Sequence, residues 1–538
     1  MTHATKAVVI GGGIAGLATA ALMARDGYDV TLLEKNNGLG GRAGSWEKDG
    51  FRFDTGPSWY LMPEVFDHFY RLLGSSAEEQ LELLKLDPAY RVYFEGLHDS
   101  SGKREQPAVV DVTSDRETNL ELFESIEPGS RKPMEKYLDS AKEAYHLAKL
   151  RFLYNTFERK ASLVRGDVLA RAPRLIRLLR ETLSQFAARH VSSNRLQQIL
   201  GYPAVFLGAS PFNTPSIYHL MSYLDLEDGV LYPQGGFARV IATIAELAKA
   251  EGVTVLQGSP VTKILVDDST GRKPRVRGVE YRGPKNRQIE IEADVVVSAA
   301  DLHFSETQLL PEKLQTYPQS WWTERIAGPS AVLMYLGVSG EVPQLKHHTL
   351  FFTEDWQDNF GRIFGNPSSV PNPASFYVCK PSASDADVAP AGDTNIFVLV
   401  PVPADVSLGK GGLAGKGGKT VEAIADAAIA QIATWADIPD FAKRITLRRT
   451  IGPEDFAEDL NAWNGTALGP SHVLSQSAFY RAGNVSTKVD GLYYAGGSTI
   501  PGIGLPMCLI SAELVIKRLR GDVSTEPLPE PLFPTVDR

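Results

Sequence analysis

One run, residues 8–42, VVIGGGIAGLATAALMARDGYDVTLLEKNNGLGGR, restricts what this chain can fold into more than any other. Residues 7–10 read as a short buried strand, the glycines after them as a tight turn, and residues 15–25 as a helix whose small side chains permit close packing. Gly11 makes the turn, Gly13 lets the backbone approach a pyrophosphate, and Gly16 lets the helix lie against the strand. Ile14 and Ala15 open a helix whose free N–H groups face an anion. A second strand, 29–33, runs into Glu34 and Lys35. Glu34 stands about 20 residues after the glycines, where an acid accepts from a ribose hydroxyl; an arginine there would have favoured a 2′-phosphate. A glycine-rich turn alone is weak. Strand, helix, second strand and acid in this order select a Rossmann-type βαβ unit that holds a dinucleotide.

Two further motifs follow closely. Gly40, Gly41 and Arg42 bring backbone N–H groups and a guanidinium toward the same diphosphate. In FRFDTGPSWY, the turn at Gly56, Pro57 and Ser58 lets main chain lie against a flat ring. The succession GxGxxG, Glu, GGR, DxGP resembles the flavin-containing amine oxidase and phytoene desaturase superfamily, and the resemblance implies FAD rather than NAD.

A chain of 538 residues with 43% apolar content can bury more than one core. The net charge of −9 argues against nucleic acid as a partner. The two cysteines, Cys379 and Cys508, lack CxxC spacing and fit a reducing cytoplasm. No metal is expected: the ten histidines show no ligand spacing, and His347-His348 reads as a loop doublet. No basic segment and apolar core precede the first strand, and no apolar run reaches the length of a membrane span, so neither a secretory signal nor a spanning helix is expected.

The fold class expected is α/β with an α+β substrate part: a Rossmann-type FAD domain, discontinuous in sequence, built from 1–108, 226–301 and 484–521. In the resemblance, VTVLQG (253–258) with Val261 is the second nucleotide-contacting strand, a backbone group near Val261 meeting the adenine. IEADVVVSAAD (291–301) is the return to the sheet, ending in small residues that include Ala299. The third piece, 489–519, holds a strand, a loop with Gly496 and Gly497, and a helix that starts around Gly504, Leu505 and Pro506 and can face an anion or a flavin carbonyl. Residues 109–225 are assigned to a helical, membrane-associating substrate region and 302–483 to a substrate domain. GKGGLAGKGGK (409–419) reads as a flexible loop, and the proline-rich 522–538 as a disordered tail.

LYYAGGSTIPGIGLP (492–506), GYPAVFLGASPFNTPSIYHLM (201–221) and GVLYPQGGFARVI (229–241) carry the resemblance over nearly the whole chain: it is similar to bacterial-type phytoene desaturases, actinobacterial ones in particular. It departs from their pattern at Ile500, where His, Gln or Thr is common, and at Ile503, where a smaller residue is. The resemblance implies successive dehydrogenations of phytoene toward lycopene, with oxygen or a quinone as final acceptor. Other carotenoid-modifying flavoenzymes (a later-step desaturase, an isomerase, an oxygenase), a flavin amine oxidase and a flavin-free prenyl-protein escort are the alternatives. A hydrocarbon substrate offers no hydrogen-bonding handle, so binding rests on buried area. Trp59, Tyr60, Phe206, Phe212, Tyr218 and Ile500 are the candidate tunnel residues.

Such a substrate resides in lipid. Residues 151–200 hold ten Lys/Arg against three Asp/Glu in a chain that is acidic overall. Within them Leu169, Leu175, Leu178, Leu179 and Leu183 fall near one helical face, beside Arg171, Arg174, Arg177 and Arg180. That pattern reads as an interfacial helix drawn to an anionic membrane surface, giving a cytoplasmic enzyme held peripherally at the inner face of the membrane. Asp167 beside Arg165 is the one ionisable cluster there that would assist proton removal.

Overall fold

The computed structural model describes residues 5–96, 106–158, 172–269 and 272–534. Its first layer is a five-stranded, all-parallel sheet. Along it run β19 (Leu492–Tyr494), β13 (Val295–Ser298), β1 (Lys6–Ile10), β2 (Asp29–Leu33) and β9 (Thr254–Leu256). Its strands come from three separated stretches of chain. Alternation along β1 divides the burial: Ala7 and Val9 join the core shared with the helices Ile14–Arg25, Gly236–Ala250 and Leu505–Arg520. Val8 and Ile10 join the core shared with an antiparallel sheet of β10 (Val261–Asp267), β11 (Arg275–Arg282) and β12 (Gln288–Glu292).

The second layer system is a seven-stranded sheet. Its order is β18 (Ile445–Ile451), β14 (Ser330–Val338), β17 (Thr394–Val402), β16 (Phe376–Cys379), β15 (His348–Phe352), β6 (Tyr90–Phe94) and β7 (Ala108–Val112). Only the β15–β6 pairing is parallel. Val332, Met334 and Leu336 of β14 face the helix Lys419–Trp435 through Val421, Ala425 and Ile429, whereas Leu333 and Tyr335 face the interior of the molecule. Because β6 pairs with β15, it lies in this sheet rather than with the dinucleotide strands, so a first segment running unbroken to residue 108 does not match the sheets. Two small pairings complete the strands: β3 (Ser45–Lys48) with β4 (Phe51–Asp54), and β5 (Leu83–Lys85) with β8 (Leu231–Pro233).

Three expectations are corrected. The chain beyond residue 521 is docked as far as residue 534: Leu528 and Leu532 are buried, Leu532 N–H donates to Leu72 O at 2.9 Å, and buried Lys517 donates to the carbonyls of Ser524 and Glu526. Proline-rich sequence here is an extended strap whose carbonyls satisfy a buried ammonium. The glycine loop is packed rather than flexible. A Cβ on Gly411 would stand 2.0 Å from Thr450 O, and the N–H groups of Gly411 and Gly412 donate to Asp455 Oδ2 and Thr450 Oγ1; the glycines admit close backbone approach. The loop doublet holds only for His347, which lies in a bend before β15; His348 opens β15 opposite Cys379, and both histidines are buried.

Candidate active site

The glycines of the first turn are set by sterics. A Cβ on Gly16 would lie 1.9 Å from Gly11 O, and Gly11 itself has φ +101°. The helix Ile14–Arg25 therefore starts tight against β1, at Gly13, with no side-chain cap and no acid in its first turn, so its leading N–H groups are left for a ligand. Gly40 N–H donates to Gly12 O at 2.8 Å, tying the second glycine pair to the first. Glu34 is buried and braces the turn. Its Oε2 accepts from Gly12 N–H at 2.6 Å and its Oε1 from Asn36 N–H at 2.8 Å, with lone pairs remaining for a hydroxyl. A second uncapped helix start, at Gly504 with φ +122°, heads Leu505–Arg520.

Arg42 lies between these elements. Its Nε donates to Ala467 O at 2.7 Å, burial lowers its pKa and Asp301 opposes that shift. Asp301 in turn caps the helix Leu302–Thr307, accepting from His303 and Phe304 N–H. Burial raises its pKa against the pull of Arg42. The turn at Gly56 is equally close: a Cβ there would meet Arg42 O at 2.4 Å.

The first turn, Glu34, the Gly40–Arg42 segment, Asp301, the Gly56 turn and the Gly504 helix start border one cavity of about 1520 Å³, larger than the roughly 300–1,000 Å³ of a single small-molecule pocket. Gly11, Gly13, Ile14, Ala15, Glu34, Lys35, Gly40, Gly41, Arg42, Gly56, Pro57, Ser58, Val261, Ala299, Gly496, Gly497, Gly504, Leu505 and Pro506 all line it. Gly16 does not; its place is the helix–strand contact. The Lys35 ammonium is engaged by Glu458 O and Asn461 Oδ1. Two uncapped helix starts, a half-buried guanidinium and an acid beside the turn, facing one cavity, fit an anionic dinucleotide with a carbonyl-bearing ring system.

Of the expected tunnel residues, Trp59, Phe206 and Tyr218 line the cavity. Tyr60, Phe212 and Ile500 do not. Tyr60 is fully buried, stacked on Phe66 at 4.3 Å. Phe212 packs toward Phe360, and Ile500 is core, its carbonyl accepting from Asn484. Tyr60 is fixed by a bridge to Leu231, whose N–H donates to Tyr60 O at 3.1 Å, and its ring turns into the core rather than toward the cavity that Trp59 lines. Arg165 and Asp167 lie outside the described residues, as do Leu169 and Arg171.

Residues not singled out from sequence complete the walls. Ile503 N–H donates to His472 Nε2 at 3.2 Å, so that nitrogen is an acceptor and the ring proton sits on Nδ1. Nδ1 then donates to Tyr218 Oη at 3.0 Å. Burial holds His472 neutral, its pKa well below the usual imidazole range. Across the cavity, Ser58 Oγ and Tyr377 Oη are 2.6 Å apart, and Tyr377 Oη is 2.7 Å from His348 Nδ1. Apolar surface dominates elsewhere, with Leu153, Val205, Met221, Leu333, Leu350 and Phe352 among the lining. Ile176 (49% exposed), Phe479 (50%) and Tyr480 (56%) both line the cavity and face solvent, placing an apolar rim at its opening. These come from chain segments hundreds of residues apart, which is why no local motif announced them.

A parallel sheet that presents two helix starts to one cavity, with an apolar continuation, defines a dinucleotide-binding oxidoreductase scaffold. The chain belongs to the flavin-containing amine oxidoreductase family, whose profile matches residues 14–516, and its cofactor is FAD. It is 39% identical over 516 residues to a carotenoid 3,4-desaturase of Haloarcula japonica, covering 96% of this chain and 98% of the relative. It is 33% identical to a zeta-carotene-forming phytoene desaturase of Myxococcus xanthus (96% and 94%) and 30% to a 4,4'-diapophytoene desaturase of Staphylococcus aureus (96% and 99%). Solved structures with the same fold include an oxidoreductase from Methanosarcina mazei (TM-score 0.62, 15% identity, 95% and 100%) and a putrescine oxidase (TM-score 0.56, 13% identity, 96% and 99%).

Proposed function

We propose that this protein is an FAD-dependent carotenoid desaturase that dehydrogenates phytoene in successive steps toward lycopene, passing electrons finally to oxygen or a quinone. The observation that carries the reading is the single cavity bordered both by the dinucleotide motifs and by an apolar wall that reaches an exposed apolar rim. FAD supplies the acceptor for a hydride taken from an allylic carbon. The chain's part is to hold the polyene along the apolar wall, exclude water, and leave few charges on that wall. The allylic cation formed is a strong acid, so a neutral oxygen suffices to take the neighbouring proton; Tyr218 and Tyr377 present such oxygens. The neutral state of His472 keeps a cation from opposing that charge.

Substrate reaches the cavity from lipid. The helix Ala172–Arg180 carries Ile176 and Leu179 on the rim, with Arg177 and Arg180 exposed beside them. Such a surface suits an anionic bilayer, with the protein peripheral to its cytoplasmic face. Among the described residues no helix is long and apolar enough to cross a membrane.

A second reading, desaturation at a later step such as C3–C4, is favoured by the 39% identity to a carotenoid 3,4-desaturase. The two separate in one experiment: FAD-loaded protein is mixed without oxygen with liposomes carrying phytoene or lycopene, flavin bleaching is followed, and pigments are resolved by chromatography. Bleaching by phytoene with longer chromophores as products supports the first reading. Bleaching by lycopene alone moves the substrate to the second, and bleaching by neither removes both.

A further inference from the structure

Behind the cavity wall, β15 and β16 place three ligand-type side chains together. His348 and Cys379 are direct partners in the antiparallel register, so their side chains share a face of the sheet. His347 precedes β15, and its ring meets that of His348 with centroids 4.6 Å apart and planes at 74°. One ring nitrogen of each histidine and Cys379 Sγ lie within 4.8 Å of one another, and all three residues are more than nine-tenths buried. Each imidazole is held by a hydroxyl at Nδ1: His347 by Ser384 Oγ at 2.9 Å, His348 by Tyr377 Oη at 2.7 Å. Among the described residues, neither Nε2 has a hydrogen-bond partner. Two buried, orphaned ring nitrogens beside a thiol are costly unless something binds them.

We propose that His347, His348 and Cys379 form a closed, three-coordinate site for one monovalent copper ion. Donation from each Nδ1–H to its hydroxyl leaves the Nε2 lone pair for a metal, the arrangement by which outer hydrogen bonds orient histidine ligands. The Tyr377 hydroxyl then donates onward to Ser58 Oγ, 2.6 Å away. Ligand chemistry and charge select the ion. A thiolate with imidazoles suits Cu(I) and Zn(II), but structural zinc takes four ligands, and none of the three residues reaches the cavity, where water would supply a fourth. Cu(I) with one thiolate and two neutral imidazoles sums to zero charge. Zn(II) would leave a net positive charge in a buried site next to His347's neighbour Lys380, itself largely buried. Binding exchanges the thiol proton, released to buffer, for the metal, with no change in oxidation state. Trp59 stacks on the His348 ring at 4.2 Å and 9°, so the ion would sit one aromatic layer behind the substrate wall.

The test uses FAD-loaded full-length protein, without oxygen, against a Cu(I)–bicinchoninate complex whose colour reports chelator-held copper. The expected result is withdrawal of one copper per chain, with quenching of the Trp59 contribution to fluorescence, defined by a Trp59→Phe variant. Cys379→Ala and His348→Ala abolish withdrawal, Cys508→Ala retains it, and Tyr377→Phe weakens it about 10- to 100-fold, the usual effect of losing an outer-shell hydrogen bond. Copper left wholly with the chelator overturns the proposal without recourse to any variant. So does uptake that persists in Cys379→Ala and His348→Ala, or displacement of the copper by equimolar Zn(II).

Discussion

Gly16 leaves no space for a methyl group, because the position a Cβ would take is already the van der Waals volume of Gly11 O. Gly16→Ala therefore forces the helix Ile14–Arg25 off β1 and distorts the Gly11–Gly13 turn that leads into it. Overpacking of this kind costs about 1–3 kcal/mol, and the expected outcome is a lowered melting temperature together with loss of copurified FAD, read by calorimetry and absorbance. A second residue-scale effect concerns Asp225, fully buried, with Tyr202 Oη donating to its Oδ2 at 2.5 Å and Tyr90 Oη at 3.3 Å. Burial raises its pKa to about 7 against the lowering by those hydroxyls. In the unfolded chain the group titrates near the ordinary carboxyl value, so between the two values the folded state holds a proton that the unfolded state lacks. Stability from this group is complete below the unfolded pKa and is lost as pH rises through about 7. Urea titrations from pH 4 to 8 should show wild type losing stability relative to Asp225→Asn over that span; parallel profiles would mean that the carboxyl is ionised throughout. What the sequence disclosed at this scale was local chemistry, such as Glu34 beside the glycines. Which of Trp59 and Tyr60 faces the cavity was not local, since it depends on how the Gly56 turn abuts Arg42.

The helix Ala172–Arg180 illustrates what periodicity reveals about an element and what it conceals. Its apolar and basic faces were legible, yet Leu178 is buried and Leu183 belongs to the next helix, Leu183–Ala188, leaving Ile176 and Leu179 as its exposed apolar residues. Arg174 is already paired with Glu143 and hydrogen-bonded to Ser140. Reversing Arg174, Arg177 and Arg180 to Glu is expected to reduce cosedimentation with anionic liposomes roughly 100-fold in affinity, at about 1 kcal/mol per basic residue near such a surface. Neutral liposomes should show little change. Equal binding by the triple variant and wild type would detach this helix from the bilayer contact and leave Phe479 and Tyr480 as the element to test. Strand and helix bounds near the glycines were legible within about a residue, because turn chemistry fixes them. The pairing of β15 with β16, which joins His348 to Cys379, was not, because register between strands is decided by the whole sheet.

At the scale of the molecule, the strap that follows Leu505–Arg520 ties the end of the chain to its beginning. Removing residues 525–538 exposes the sites of Leu528 and Leu532, worth about 1.5–3 kcal/mol each when fully buried, and deprives buried Lys517 of Glu526 O. The shortened protein should melt earlier, and saturating FAD should recover part of the loss, since a ligand at 100 times its Kd adds about 2.7 kcal/mol. An unchanged melting curve would show that the strap docks without stabilising. Composition alone misjudged this segment: proline content reported what it could not form, a helix or an inner strand, and was silent on the carbonyls it offers to a buried cation.

The parallel sheet also sets a schedule for synthesis. β1 is made first but lies between β2 and β13, and β19, which pairs with β13, is made last. At about 5–20 residues per second, roughly half a minute to a minute and a half separates the first strand from the last. During that interval the ribosome-bound chain exposes strand edges that only its own distal end can cover, and the flavin site lacks its second helix start. Nascent chains of this protein are therefore expected to engage chaperones until β19 and the helix Leu505–Arg520 have emerged, and chains ending before Leu505 to be colourless.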